Sequence, residues 1–235
     1  MSAWTTKRFW TAATTEACDG GYRVRLDGRA VKTPLKNPLI LPSAAMAAAV
    51  ALEWDAQTGL IKPDTMPMTR YANSAIDKVA AQFDTVVDIV AAYGETDLIC
   101  YRATGPESLI QRQNTCWNPL LDWARTDLNA SLIATAGVIY IAQDAGALAA
   151  LRAKITALSP FQLAAFHDLV AITGSLVLAL AILARALPPE QAWQISRIDE
   201  TWQIEQWGID DEAAALAASK QAALVDAARF MALCG

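Results

Sequence analysis

The hydrophobic period of this chain changes once, and the change limits the folds open to it. In GYRVRLDGRAVKTP, residues 21–34, apolar and polar side chains alternate, with Tyr22, Val24 and Leu26 set against Arg23 and Arg25. A period of two is the mark of a half-buried strand. From Thr69 onward the apolar residues recur at helical spacing, as in Ala72, Ile76, Val79, Phe83, Val86, Val87 and Val90. Strands at one end and helices through the rest read as an α+β chain. The expected organisation is a small β-rich N-terminal domain, 1–64, followed by a larger orthogonal α-helical bundle domain, 65–235.

Local signals punctuate this plan. Asp27-Gly28 predicts a two-residue hairpin turn, because both residues tolerate positive φ. Asn37-Pro38 predicts a second turn, Leu39 to Leu41 a short strand, and Lys7 to Trp10 a further one. Ser43 fits the N-cap of an alanine-rich helix that Gly59 would close. A helix is expected from Arg70 to Tyr93, stopped by Gly94, and another after Gly105-Pro106, with Pro119 inside it. Further helices are expected at 145–158, 160–187, 189–207 and 211–233. GVIYIAQD, residues 137–144, is the exception: a strand returning to the N-terminal sheet and the start of a buried helix both fit it.

Composition excludes several classes of function. The net charge of −5, without a run of Lys and Arg, argues against nucleic acid as a partner. No GxxxxGK[ST] or GxGxxG loop is present to hold a nucleotide, and no GxSxG elbow to present a nucleophile. Four scattered cysteines without a CxxC pair read as reduced thiols in a cytosolic type of compartment. With His167 the sole histidine, neither a metal site nor a cofactor is expected. The longest apolar run, 169–184, is interrupted by Thr173, Gly174 and Ser175 and is shorter than the roughly 20 residues of a membrane helix. MSAWTTKRFW has neither the apolar core of a secretory signal nor the basic amphipathic pattern of a presequence.

Acids capable of proton transfer need only meet in space, so carboxylates are the remaining route to catalysis. Candidates are Glu53 and Asp55 in EWDAQ, Asp97 in TDLICYR, and Asp199 with Glu200 in RIDETWQIEQWG, residues 197–208. Laid out at about 100° per residue, that last stretch puts Ile195, Ile198 and Trp202 on one side and Trp193, Ile204 and Trp207 on the other. Ser196, Asp199, Gln203 and Gln206 form a polar strip between them. Glu200 falls on the Trp193 side, one turn from Arg197, which can pair with it. A helix with two apolar faces is either wedged between neighbours or turns one face to a partner.

Six segments together resemble one family. They are LDGRAVKTP (26–34), ALEWDAQTGLIKPDTMPMTR (51–70), TDLICYRA (96–103), WNPLLDW (117–123), FQLAAFHDLVAITGSLVLALA (161–181) and IDETWQIEQWG (198–208). In this order they resemble the ATP synthase alpha-subunit assembly chaperones of mitochondria and alpha-proteobacteria. The resemblance implies a non-enzymatic, ATP-independent protein that binds the unassembled alpha subunit and prevents its aggregation before it pairs with beta. It implies that the acidic position in the last motif serves the client. That position is Asp199 here, where mitochondrial members carry glutamate, and Glu200 also matches the family pattern. The expected partner-binding residues are Asp199, Glu200, Gln203, Gln206 and Trp207, on a monomeric, cytoplasmic, bacterial-type member. The alternative is an acid/base enzyme using Asp199 and Glu200 in a cleft.

Overall fold

The computed structural model describes residues 7–235. The expectation about a leader sequence rests partly on residues 1–6 and lies outside the described residues. The chain forms two compact units, one of residues up to 83 with 159–165 and 229–235, the other of 84–158 with 166–228.

The first unit holds the sheet. Strand β1 (Ala13–Cys18) pairs antiparallel with β2 (Gly21–Leu26), which also pairs with β3 (Arg29–Ala30) and β4 (Ile40–Leu41). The alternation sorts as expected: Val24 and Leu26 are buried, while Arg23 and Arg25 both reach Glu16 on β1, at 2.9 and 2.8 Å. Asp27 (φ 45°) and Gly28 (φ 82°) make the predicted turn, whose two positive φ values match the twist of the flanking strands. Lys7 forms a single bridge to Leu60 rather than a full strand. A Cβ on Gly21 would stand 2.3 Å from the Leu41 carbonyl oxygen, at φ +148°. Gly21→Ala is therefore expected to lower stability by about 2 kcal/mol through forced separation of β2 from β4, read as a lowered urea midpoint at unchanged m-value.

Helix α1 (Ala44–Asp55) starts where Ser43 Oγ accepts from Met46 N at 3.0 Å, and it buries Met46, Ala47, Val50 and Trp54. It ends at Ala56, three residues before Gly59, whose φ of +70° turns the chain after the helix. Helix α2 (Pro67–Ser74) follows. A boundary after residue 64 does not divide the units. The Glu53 carboxylate accepts from Met68 N (2.7 Å), Thr69 N (2.8 Å) and Thr69 Oγ1 (2.7 Å), capping α2 from α1. Met66, Met68, Thr69 and Ala72 are buried with it, so the first unit runs on to residue 83. The helical turns continue through a π turn (Ala75–Val79) and a 3-10 turn (Ala80–Gln82) into α3 (Phe83–Ala91). Gly94 ends this run, as expected.

The second unit is helical apart from a two-residue parallel pairing of β5 (Tyr101–Arg102) with β6 (Thr135–Ala136). Here the expectation for 137–142 fails. Gly137, at φ +83°, turns the chain away after Ala136, and Val138, Ile139 and Tyr140 are 94%, 76% and 55% exposed, in neither strand nor helix. The segment pairs with no strand among the described residues, and β-branched residues alone do not make a strand.

Helix α4 (Glu107–Asp127) passes through Pro119 and buries Leu109, Gln113, Trp117, Leu120 and Ala124 along one row. Helix α5 (Ala145–Thr156) is capped by Asp144. The apolar run expected as one helix is two, α6 (Pro160–Thr173) and α7 (Leu176–Leu183), separated by Gly174 at φ +68°. Every residue of α7 from Leu176 to Ile182 is buried. None of the described helices is long and apolar enough to cross a membrane. The stretch 189–207 is likewise divided, into α8 (Pro189–Ser196) and α9 (Ile198–Trp207), and α10 (Asp211–Ala232) ends the chain. All four cysteines are free, and burial pushes the Cys100 and Cys234 thiols up to about 12, out of reach of thiolate chemistry at neutral pH.

Candidate functional site

The break at Arg197, where φ is −116° and ψ is 25°, decides what the predicted site becomes. Unbroken, residues 193–207 would have carried two opposed apolar faces along their length. Broken, α8 keeps the core contacts: Trp193 and Ile195 are buried, and Ile198 is the buried residue of α9. Beyond it α9 turns outward. Ile204 is 40% and Trp207 80% exposed, followed by Ile209 at 71% after Gly208 (φ 90°) turns the chain. Thus Trp193 does not share a face with Ile204 and Trp207; one is core and the others are surface.

Asp199 is half-buried at the first turn of α9, and it is not free on its polar strip. Its Oδ1 accepts from Gln113 Nε2 at 2.6 Å. Gln113 is completely buried, its Oε1 accepts from Ala103 N (2.8 Å), and its backbone carbonyl accepts from Arg102 Nη1 (3.0 Å). Arg102 also donates to Asn118 Oδ1 at 3.0 Å and lies 5.0 Å over the ring of Trp117, whose indole donates to the Ile195 carbonyl. A buried network of this kind holds the carboxylate at one place and orientation. The second oxygen, Oδ2, makes no hydrogen bond or ion pair with any described residue.

Around it the other predicted residues divide. Glu200 pairs with Arg197 at 3.4 Å, as the one-turn spacing suggested, and Arg197 in turn lies 5.0 Å over Trp193. Gln203 and Gln206 are exposed and unbonded among the described residues. Arg112 of α4 grips Glu205 through two hydrogen bonds of 2.9 Å and covers Trp202. The bond to Arg112 holds the Glu205 carboxyl below its ordinary range, but both partners are exposed, so the pair orients α9 more than it stabilises it. Reasoning from sequence missed Gln113, Arg102 and Arg112. Gln113 did leave a signal: a polar residue interrupting the row Leu109, Trp117, Leu120 and Ala124 at helical spacing.

The remaining candidate acids are occupied structurally. Asp97 is 0% exposed, with Oδ1 accepting from Ile99 N and Oδ2 from Val177 N, and burial pushes its carboxyl up to about 6. Glu53 caps α2, and desolvation raises its carboxyl. Asp55 binds Arg8 and Ala13 N. His167 bonds Asp168 at 3.1 Å, and that bond raises the imidazole. Asp97 is sealed inside, and Glu200 is half exposed beside Arg197.

Comparison with known proteins gives these surfaces a context. Residues 7–125 match the model of the ATP12 chaperone protein family. The fold is that of the crystal structure of Atp12 from Paracoccus denitrificans, with a TM-score of 0.96 and 48% identity over 99% of this chain and 100% of that one. It is similarly close to Atu1473 of Agrobacterium tumefaciens, described as a putative chaperone, with a TM-score of 0.94 and 38% identity over 97% of this chain and 86% of that one. Protein atp12, mitochondrial, of Schizosaccharomyces pombe is 26% identical over 221 residues, 88% of this chain and 75% of that protein. With a family model spanning half its length and near-complete overlap with a solved Atp12, the chain belongs to the ATP12 chaperone protein family.

Proposed function

We propose that this chain is an ATP-independent assembly chaperone for ATP synthase, which binds the unassembled alpha subunit and prevents its aggregation until beta pairs with it. It acts as a monomer in the cytoplasm and catalyses no reaction. The observation that carries the site is the half-satisfied Asp199: one oxygen is fixed by buried Gln113, while the other has no partner among the described residues. The same helix exposes Ile204 and Trp207, and Gln203 and Gln206 share the Asp199 strip. An aromatic anchor, an aliphatic neighbour and one oriented charge are what recognition of a partner surface requires. The engagement of Glu53, Asp55 and Asp97 in caps and ion pairs supports the non-catalytic reading.

Two variants separate charge from packing. Asp199→Asn keeps an acceptor for Gln113 and loses the charge. It is expected to change folding stability by less than about 1 kcal/mol while reducing capture of the alpha subunit at least severalfold. Asp199→Lys also loses the Gln113 bond, at about 1–3 kcal/mol, and should abolish capture. Co-purification with purified alpha subunit, and light scattering of alpha during dilution from denaturant without ATP, measure both. Wild-type chain that neither binds alpha nor slows its aggregation would refute the function. Capture by Asp199→Asn equal to wild type would remove Asp199 from the interface.

A further inference from the structure

Two sequence motifs that the α9 surface leaves unexplained, LDGRAVKTP and ALEWDAQTGLIKPDTMPMTR, meet in the first unit around a cavity of about 350 Å³. That volume lies within the range of ligand pockets. Its apolar walls are Trp54, Ile61 and Met66, which are 8%, 4% and 2% exposed. Lys32 and Lys36, from the loop after β3, and Arg70, from α2, also line it. All three cations are exposed, and none makes an ion pair or side-chain hydrogen bond among the described residues. On a chain of net charge −5, three unpaired cations around one opening reverse the local sign.

Two buried polar atoms of the lining residues also have no partner among the described residues. The indole Nε1–H of Trp54 has no acceptor and the Oδ1 of Asn73 has no donor. The nearby carboxylates do not serve these groups. Asp77 is taken by Thr33 Oγ1, Leu35 N and Asn37 Nδ2, and Glu53 by the start of α2.

We propose that this cavity receives an acidic side chain from an extended segment of the partner protein. The carboxylate would lie among Lys32, Lys36 and Arg70. Its methylene stem would lie along the mouth formed by Pro34 and Pro63, while the Asn73 amide nitrogen donates to a peptide carbonyl of the segment. For an assembly chaperone the anion is carried by another protein chain, so a peptide carboxylate is the occupant and a free inorganic anion is an outcome of the test. The inference rests on the chaperone reading for the nature of the partner, and it adds a second contact point remote in sequence from Asp199.

The test uses the full chain labelled with ¹⁵N and a blocked hexapeptide alternating Glu and Leu, with the Gln-for-Glu peptide as control. The indole N–H resonance of Trp54 is identified by its loss in Trp54→Phe. The acidic peptide should shift that resonance saturably, and the Gln peptide should not. Lys32→Glu combined with Arg70→Glu, both exposed positions, should weaken the acidic peptide by about tenfold. Equal binding of the two peptides, no effect of the double charge reversal, or inorganic phosphate saturating the same shift at equal concentration would each overturn the proposal. Capture of alpha subunit keeps the two readings apart. Wild-type chain that captures alpha but ignores the acidic peptide refutes the cavity while leaving the chaperone. Peptide binding without alpha capture does the reverse.

Discussion

Replacing Asp97 by alanine is expected to cost about 3 kcal/mol of folding stability at neutral pH, a large share of what a domain of this kind has. The carboxylate is completely buried and accepts from Ile99 N at 3.2 Å and Val177 N at 3.0 Å, so it joins the turn before β5 to the start of α7. Alanine leaves those donors with nothing to meet, in a place water does not reach. Since α7 is buried along its whole apolar length, losing its first turn would loosen the second unit as a body. Urea unfolding measures the loss, and a change below about 0.5 kcal/mol would show that the donors find other acceptors.

The same residue carries a pH signature. Burial raises its carboxyl from 3.8 to about 6, against the pull of hydrogen bonds from Ser175 and the backbone of Val177, Ile99 and Leu176. Between these two values the folded state holds a proton that the unfolded state has released. The proton-linked part of the Asp97 contribution is therefore full below about pH 4 and is lost as pH rises through 6, by about 3 kcal/mol in all, while the hydrogen bonds from Ile99 N and Val177 N remain at neutral pH. Groups of opposite sign hide this in the wild-type curve alone, among them Asp27, whose bonds from Ala12 N and Thr11 N lower its carboxyl. Subtraction isolates it: the stability of wild type minus that of Asp97→Asn should fall as pH rises from 4 to 7. A flat difference would mean that the carboxyl titrates at its ordinary value.

Gln113→Leu is expected to lose about 3 kcal/mol and, separately, to lose alpha-subunit capture. Leucine fills the space but leaves Ala103 N without its acceptor and Asp199 Oδ1 without its donor. Its diagnostic value lies in comparison with Asp199→Asn. If Gln113 acts through the carboxylate, the two changes should not add in a binding cycle at a temperature where both variants are folded. Full capture by folded Gln113→Leu would mean that Asp199 needs no help to keep its orientation. Additive losses would give Gln113 a role of its own.

Much of the local structure was legible in the residues. Asp27-Gly28 announced its turn, Ser43 its cap and Gly94 its stop, because each acts on backbone within about four residues of itself. The Arg197–Glu200 pair followed from one-turn spacing alone. Ordered motifs also pointed to the family whose model the chain matches. Where local pattern was the whole argument it failed in two ways. The β-branched run after Gly137 pairs with no strand among the described residues and is exposed, and the period through residues 189–207 concealed the break at Arg197.

Sequence by itself determined the α+β class, the change of period, most helix starts and the absence of nucleotide-binding and nucleophile-elbow motifs. Tertiary structure decided which side chains meet. Gln113 and Asp199 lie 86 residues apart, Asp97 and Val177 80, and Thr33 and Asp77 44. Periodicity carries no information across such separations, because it reports which face of one element is apolar and not what covers that face. For this reason Asp199 read only as one member of a polar strip in the sequence, and the folded chain shows it held by one oxygen, with no partner for the other among the described residues.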